Sequence, residues 1–173
     1  MFDYGIGIDP GWKNLGLGIV RRPEGEKDIE LVYSCTMNPH DCGGILPAVA
    51  TITQTITDNI DRREMDSVFF NMERYVAYQG VQTPDSENII MLIGALYHAL
   101  HSELTEAGLV RAIDWKTWLV KQLFKKKGFS NPSTSLDKKF SIAAAKACIS
   151  NEKEFDTDHE ADAICLACLD FFK

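Results

Sequence analysis

The sequence contains no long hydrophobic run. The longest apolar stretch is Ile89 to Leu96, well short of the roughly 18 residues that a membrane-spanning helix needs. The start, Met1-Phe2-Asp3-Tyr4, has no basic segment ahead of an apolar one, so no secretory signal is expected. There is no GxxxxGK[ST] phosphate-binding loop, and no Ser, Cys or Thr set in a recognisable nucleophile–histidine motif. Internal repeats and low-complexity segments are also missing. Cysteine is present at an odd number, five, which with no export signal argues against a disulfide framework and for a reducing, cytoplasmic setting. Cys165-x-x-Cys168 has the spacing of half a zinc site, but no second CxxC or HxxxH accompanies it. Small buried residues one helical turn apart account for the pair.

What remains is an ordinary globular chain of 173 residues, 45% hydrophobic and 25% charged. That length suits a single domain spanning residues 1–173. The net charge of −7 hides a split. Between Arg111 and Lys146 nine basic residues face only Asp114 and Asp137, a window of +7 that leaves −14 on the rest. A basic stretch beside an acidic body is the footprint of a phosphate-backbone binder with a cation-holding centre. A solvated helix face followed by a lysine-rich loop would give the same count.

Hydrophobic period orders the chain. Gly5–Asp9, Leu15–Val20 and Ile29–Ser34 read as three closely spaced strands, hence an antiparallel meander. Leu46–Ile60 carries apolar residues at helical spacing. Ser67–Met72 is a buried strand, and Thr83-Pro84-Asp85-Ser86-Glu87 opens a helix running to about Thr105. Leu109–Ile113 is a short strand and Trp115–Phe124 a short basic helix, with Trp115 and Trp118 as its core anchors. Lys125–Thr134 reads as a flexible basic loop, Leu136–Ile149 as a helix, Asn151–Asp158 as an acidic loop, and His159–Phe172 as a further helix. The order β-β-β-α-β-α-β-α-α-α predicts an α/β domain: a mixed five-stranded sheet, antiparallel in its first three strands, with helices on both faces.

Chemistry concentrates at three places. Asp9 ends the first strand in Gly7-Ile8-Asp9-Pro10-Gly11, at the carboxyl edge where open α/β sheets bind ligands. The glycines permit close approach of a ligand or a second strand. Taken alone, Asp9 could equally be a turn residue. Glu73 ends the fourth strand in the same way. His159-Glu160-Ala161-Asp162 opens a helix on which His159 and Asp162 share a face; Asp158 and Glu160 suit the helix dipole. Three carboxylates and a histidine from distant segments are the oxygen-rich set that Mg²⁺ or Mn²⁺ takes. Two such ions per site can serve phosphodiester hydrolysis.

These blocks resemble the RuvC family of Holliday junction resolvases, within the RNase H-like superfamily. The resemblance rests on Ile6-Gly7-Ile8-Asp9-Pro10-Gly11 with Leu15-Gly16-Leu17-Gly18-Ile19, on Met72-Glu73-Arg74-Tyr75 with the helix after it, and on His159-Glu160-Ala161-Asp162-Ala163. It implies an RNase H-like sheet, a homodimer built with the Asn88–Leu100 helix, and metal-dependent symmetric nicking of four-way DNA junctions that leaves a 5′ phosphate and a 3′ hydroxyl. On this resemblance Asp9, Glu73 and Asp162 are metal-binding acids. His159 stands where the family has Asp or His, and Asp158 is a neighbouring substitute. Arg74, Lys116, Lys121, Lys125, Lys126, Lys127, Lys138 and Lys139 would contact phosphates. Tyr75 and Tyr78 would stack on unpaired bases, or pack at the strand edge. The acidic overall charge departs from the family. Asp114-Trp115-Lys116 with Lys125-Lys126-Lys127 looks most like phage-encoded RuvC-like nucleases, which sets the expected location as a bacterial or phage-infected cytoplasm. No membrane and no small-molecule substrate are expected. The rival readings are a broader branched or flap DNA nuclease, a YqgF-like RNA-processing nuclease, and a binding module on the same scaffold. Half of a sugar kinase also opens on Asp-x-Gly, but it would need a second such block and twice the length.

Overall fold

Alternation along the first strand sets the architecture. In Phe2–Asp9 (β1) the side chains of Tyr4, Ile6 and Ile8 enter one hydrophobic layer, while Gly5 and Gly7 face the other side of the sheet. This computed structural model describes residues 2–61, 63, 65–76, 84–100, 108–133, 135–155 and 157–173, with backbone only at 65, 66 and 84. Leu15–Pro23 (β2) pairs antiparallel with β1, placing Gly18 opposite Gly7 and Gly16 opposite Asp9. Glu30–Met37 (β3) pairs antiparallel with β2. Met65–Glu73 (β4) lies parallel to β1, with Asn71 beside Gly7 and Met72 beside Ile8. The two-residue strand Leu109–Val110 (β5) lies parallel to β4, and the sheet order is β3-β2-β1-β4-β5.

Each face of this mixed sheet is covered by helices. On one side lie Ile45–Asn59 (α1) and Pro84–Ala99 (α2). Val49, Ile52 and Ile56 recur at helical spacing on α1 and meet Leu92 and Leu96 of α2 over Ile6, Ile8, Leu17 and Ile19. Each fully buried Leu or Ile of this layer contributes about 1.5–3 kcal/mol. On the other side lie Ala112–Lys127 (α3), Lys138–Cys148 (α4), Asp158–Cys168 (α5) and a 3-10 turn, Leu169–Phe172. Trp115, Leu119 and Leu123, spaced by four, form the buried stripe of α3. Among the described residues no helix is long and apolar enough to cross a membrane.

α5 is the inner helix of this layer, and every residue from Glu160 to Cys168 is buried. It sits on the sheet by backbone contact. A Cβ added at Gly7 would lie 2.0 Å from the Ala163 carbonyl oxygen, and one at Gly16 would lie 2.1 Å from the His159 carbonyl oxygen. The glycines thus admit a helix, where the sequence suggested a ligand or a strand. Ala163 and Ala167 keep the opposing surface equally small.

Several boundaries correct the sequence reading. The strand expected over Leu109–Ile113 ends at Val110, and Ala112 and Ile113 open α3. Lys125, Lys126 and Lys127 belong to α3 and not to a loop. The helix stops at Gly128, whose φ of 64° closes a left-handed cap onto the Leu123 and Phe124 carbonyls. α5 starts at Asp158, because the Thr157 hydroxyl caps it by accepting from the Glu160 N–H at 3.0 Å. The expected continuation of α2 toward Thr105 lies outside the described residues. Cys148, Cys165 and Cys168 are free and buried between α4 and α5, with the Cys165 thiol directed to the Ser141 carbonyl.

Candidate active site

Asp9 and Glu73 end adjacent parallel strands. Their neighbours Ile8 and Met72 are in register, so both carboxylates sit at one sheet edge. Asp9 continues the Gly5–Gly7 parity and Glu73 that of Asn71, which places both on the α5 side of the sheet. The close approach of α5 then sets its first turn over this edge. His159 Nδ1 lies 2.7 Å from Asp9 Oδ2, and Asp162, one turn on, is buried beside them. Segments 9, 73 and 159–162 are thereby gathered by one register and one helix approach.

Each carboxylate already has a protein donor. His159 serves Asp9. The indole N–H of buried Trp115 donates to Glu73 Oε2 at 2.9 Å. Lys116 Nζ donates to Asp162 Oδ2 at 2.7 Å, each side chain only 13% exposed, and reaches Ser141 Oγ at 3.4 Å. Asp162 Oδ1 is a buried oxygen without a hydrogen-bond partner among the described residues.

The electrostatics follow from crowding. Burial, reinforced by Asp9, pushes the Glu73 carboxyl up to about 7 against the pull of Trp115. Burial likewise raises Asp162, opposed by Lys116. Hydrogen bonding to Asp9 raises His159. At Lys116 burial works against the charge, but Asp162, Glu73 and Asp9 outweigh it and hold its pKa up. The site is thus a cluster in which three acids outnumber the one lysine.

Its donors are the hard oxygens and imidazole that Mg²⁺ or Mn²⁺ accepts, and the unpartnered Asp162 oxygen is a ligand atom without a competing bond. In the arrangement seen, no three His, Cys, Asp or Glu side chains among the described residues form a ready-made cation cage. Lys116, His159 and Trp115 hold one oxygen each of the three acids.

The remaining predicted residues fall into distinct settings. Lys116, expected on phosphates, is instead inside the acid cluster, because α3 packs its Trp115-Lys116 turn against Glu73 and Asp162. Lys126 and Lys127 donate to the Phe172 and Ala147 carbonyls, both at 2.7 Å. Lys138 pairs with Asp158 at 3.3 Å. Lys121, Lys125, Lys139 and Arg74 are exposed. The Tyr75 hydroxyl meets Ser86 Oγ at 2.7 Å and ties the end of β4 to α2. Tyr78 lies outside the described residues. Sequence reasoning missed Trp115 as the donor to Glu73. It read Glu160 as a helix-dipole acid, whereas the side chain is buried and held by Lys153 and Ser34.

No protein-family model and no curated protein matches this chain. Solved structures do. Thermus thermophilus RuvC in complex with a Holliday junction substrate is 19% identical, with a TM-score of 0.63, covering 99% of this chain and 94% of that one. A second Thermus thermophilus RuvC structure is 20% identical, with a TM-score of 0.57 and the same coverage. At such identity the likeness is one of fold: the chain has the mixed-sheet α/β, RNase H-like architecture of RuvC.

Proposed function

We propose that this chain is a divalent-metal-dependent endodeoxyribonuclease that resolves four-way DNA junctions by paired symmetric nicks. The observation that carries the reading is the meeting of Asp9, Glu73 and Asp162, from β1, β4 and α5, at one edge of a RuvC-like fold. Asp9, Glu73 and Asp162, with His159, would hold Mg²⁺ or Mn²⁺, two ions per site. When bound, such ions supply an activated water and charge stabilisation for the leaving oxygen.

The chain's own groups do the rest. Trp115 fixes the Glu73 carboxylate by its indole N–H. His159 is engaged through Nδ1 and 37% exposed, so its second ring nitrogen would serve in one of two ways: ligating a cation, or taking and releasing a proton. Arg74, Lys121, Lys125 and Lys139 offer exposed cations for phosphates. Lys126, Lys127 and Lys138 would add to them by exchanging their internal partners. A homodimer would use α2, where Ile90 and Met91 are 55% and 53% exposed, and two-fold symmetry would match paired nicks. The resemblance to phage-encoded relatives rests on the Asp114-Trp115-Lys116 and triple-lysine stretches.

The test is cleavage of a mobile-core four-way junction in Mg²⁺, with linear duplex, flap and three-way DNA alongside. Paired symmetric nicks on the four-way junction alone, lost in Asp9→Asn while junction binding persists, are the expected result. Full metal-dependent cleavage by Asp9→Asn would sink the site assignment. Equal cutting of flaps and three-way DNA would make the protein a general branched-DNA nuclease. Binding with no cutting of any substrate would make it a binding module.

A further inference from the structure

We infer that Lys116 is a resident counter-ion that competes with the divalent cation for Asp162: its ammonium balances the acid cluster in the metal-free protein and leaves Asp162 when a cation loads. This rests on the metal-dependent reading above.

Position is the first argument. Lys116 Nζ lies 2.7 Å from Asp162 Oδ2, both side chains are 13% exposed, and Glu73 and Asp9 add to its field. Lys121 and Lys125, on the same helix, are exposed. One lysine of α3 is therefore turned inward onto three acids that would otherwise crowd unbalanced negative charge into a buried space.

Incomplete satisfaction is the second. The ammonium holds a single oxygen of Asp162 and leaves Oδ1 buried without a partner among the described residues. An unpaired buried acceptor carries a desolvation cost, so the pair is a poor end state for Asp162. A hard cation that takes carboxylate oxygens relieves that cost.

An alternative place for the ammonium is the third. Nζ lies 5.1 Å from the centroid of the Trp115 ring and 3.4 Å from Ser141 Oγ. These partners remain once Asp162 is surrendered, so release does not strand a buried charge. An ammonium and a divalent cation at one carboxylate repel each other. The lysine therefore weakens cation binding while it stabilises the metal-free fold.

The experiment measures Mn²⁺ binding to the full chelator-stripped chain by electron paramagnetic resonance, without DNA, for wild type, Lys116→Met, Lys116→Gln and Lys116→Arg. Thermal unfolding with and without Mn²⁺ accompanies it. Removing the charge should tighten Mn²⁺ binding on the order of tenfold in both neutral variants. Their metal-free melting temperatures should fall, and saturating Mn²⁺ should narrow the gap to wild type. Lys116→Arg, which keeps the charge, should bind Mn²⁺ about as wild type does. Mn²⁺ affinity unchanged or weakened in both neutral variants, with wild type binding the ion, overturns the inference and leaves the nuclease reading standing. No Mn²⁺ binding by wild type or by either neutral variant overturns the metal-dependent reading, and this inference with it.

Discussion

Two lysine–carboxylate pairs flank the first turn of α5, each 2.7 Å long, and they are finished differently. Lys153 and Glu160 form the first, toward β3. Ser34 donates to Glu160 Oε1 and in turn accepts from Lys153, so the three groups close on one another around a carboxylate only 3% exposed. Lys116 and Asp162 form the second, toward the sheet edge. There one carboxylate oxygen has no partner among the described residues, and two further acids press on the lysine. A pair closed by a third group holds structure together; one that leaves a buried oxygen open, beside more negative charge, is arranged to exchange its cation. Two residues of one helix turn thus divide the work.

The largest effect should come from breaking both sides at once. Gly7→Ala sets a Cβ against the Ala163 backbone and lifts α5 from the sheet. The expected cost exceeds about 4 kcal/mol, seen as loss of cooperative urea unfolding or of soluble protein. Lys153→Met breaks only the closed pair. Leaving Glu160 buried without its cation should cost about 3 kcal/mol in urea denaturation, while Mn²⁺ affinity stays near wild type. A parallel fall in Mn²⁺ affinity would erase the distinction between the two pairs.

The lysines of α3 and α4 that face outward sharpen the contrast with Lys116. Replacing Lys121, Lys125 and Lys139 by Ala should leave stability within about 0.5 kcal/mol. It should reduce the salt dependence of junction binding by about one unit for each phosphate no longer neutralised, read from titrations at several ionic strengths. The smallest effect concerns Asp137, an exposed carboxylate as fully supplied with donors as Glu160. Hydrogen bonds from the Ser135 and Ser133 hydroxyls and from the Phe140 and Lys139 N–H groups lower it from 3.8 to about 2. Its stabilisation of α4 is complete above the unfolded value and is lost as pH falls from about 4 toward about 2. Asp137→Asn keeps the cap and should flatten that part of an acid-denaturation profile, with little change at pH 7.

The first strands were legible as short apolar runs, such as Gly5–Asp9 closed by the turn signal Pro10-Gly11. That Asp9 and Glu73 end their strands could be read directly, and their common edge follows once β1 and β4 are parallel neighbours. The charge count misled at α3, because a sum over residues 111–146 cannot tell lysines spent internally from lysines left for solvent. Lys116 goes to Asp162, while Lys126 and Lys127 go to chain carbonyls. Gly128 was the overlooked sign that α3 runs through Lys127. Glu160 read as a helix-dipole acid because nothing near it in sequence announces Lys153 and Ser34, which reach it from other segments.

The glycine-lined seat of α5 has a consequence for the timing of biosynthesis. His159 and Asp9 are 150 positions apart in the chain, and the helix carrying His159 and Asp162 docks on strands made long before it. A growing chain that has not reached residue 153 has two of the three acids and neither Lys153 nor α5. Contacts of such separation form late, so the sheet edge acquires its third carboxylate only when the helix is seated. The completed acid cluster and the completed fold then arrive as one event.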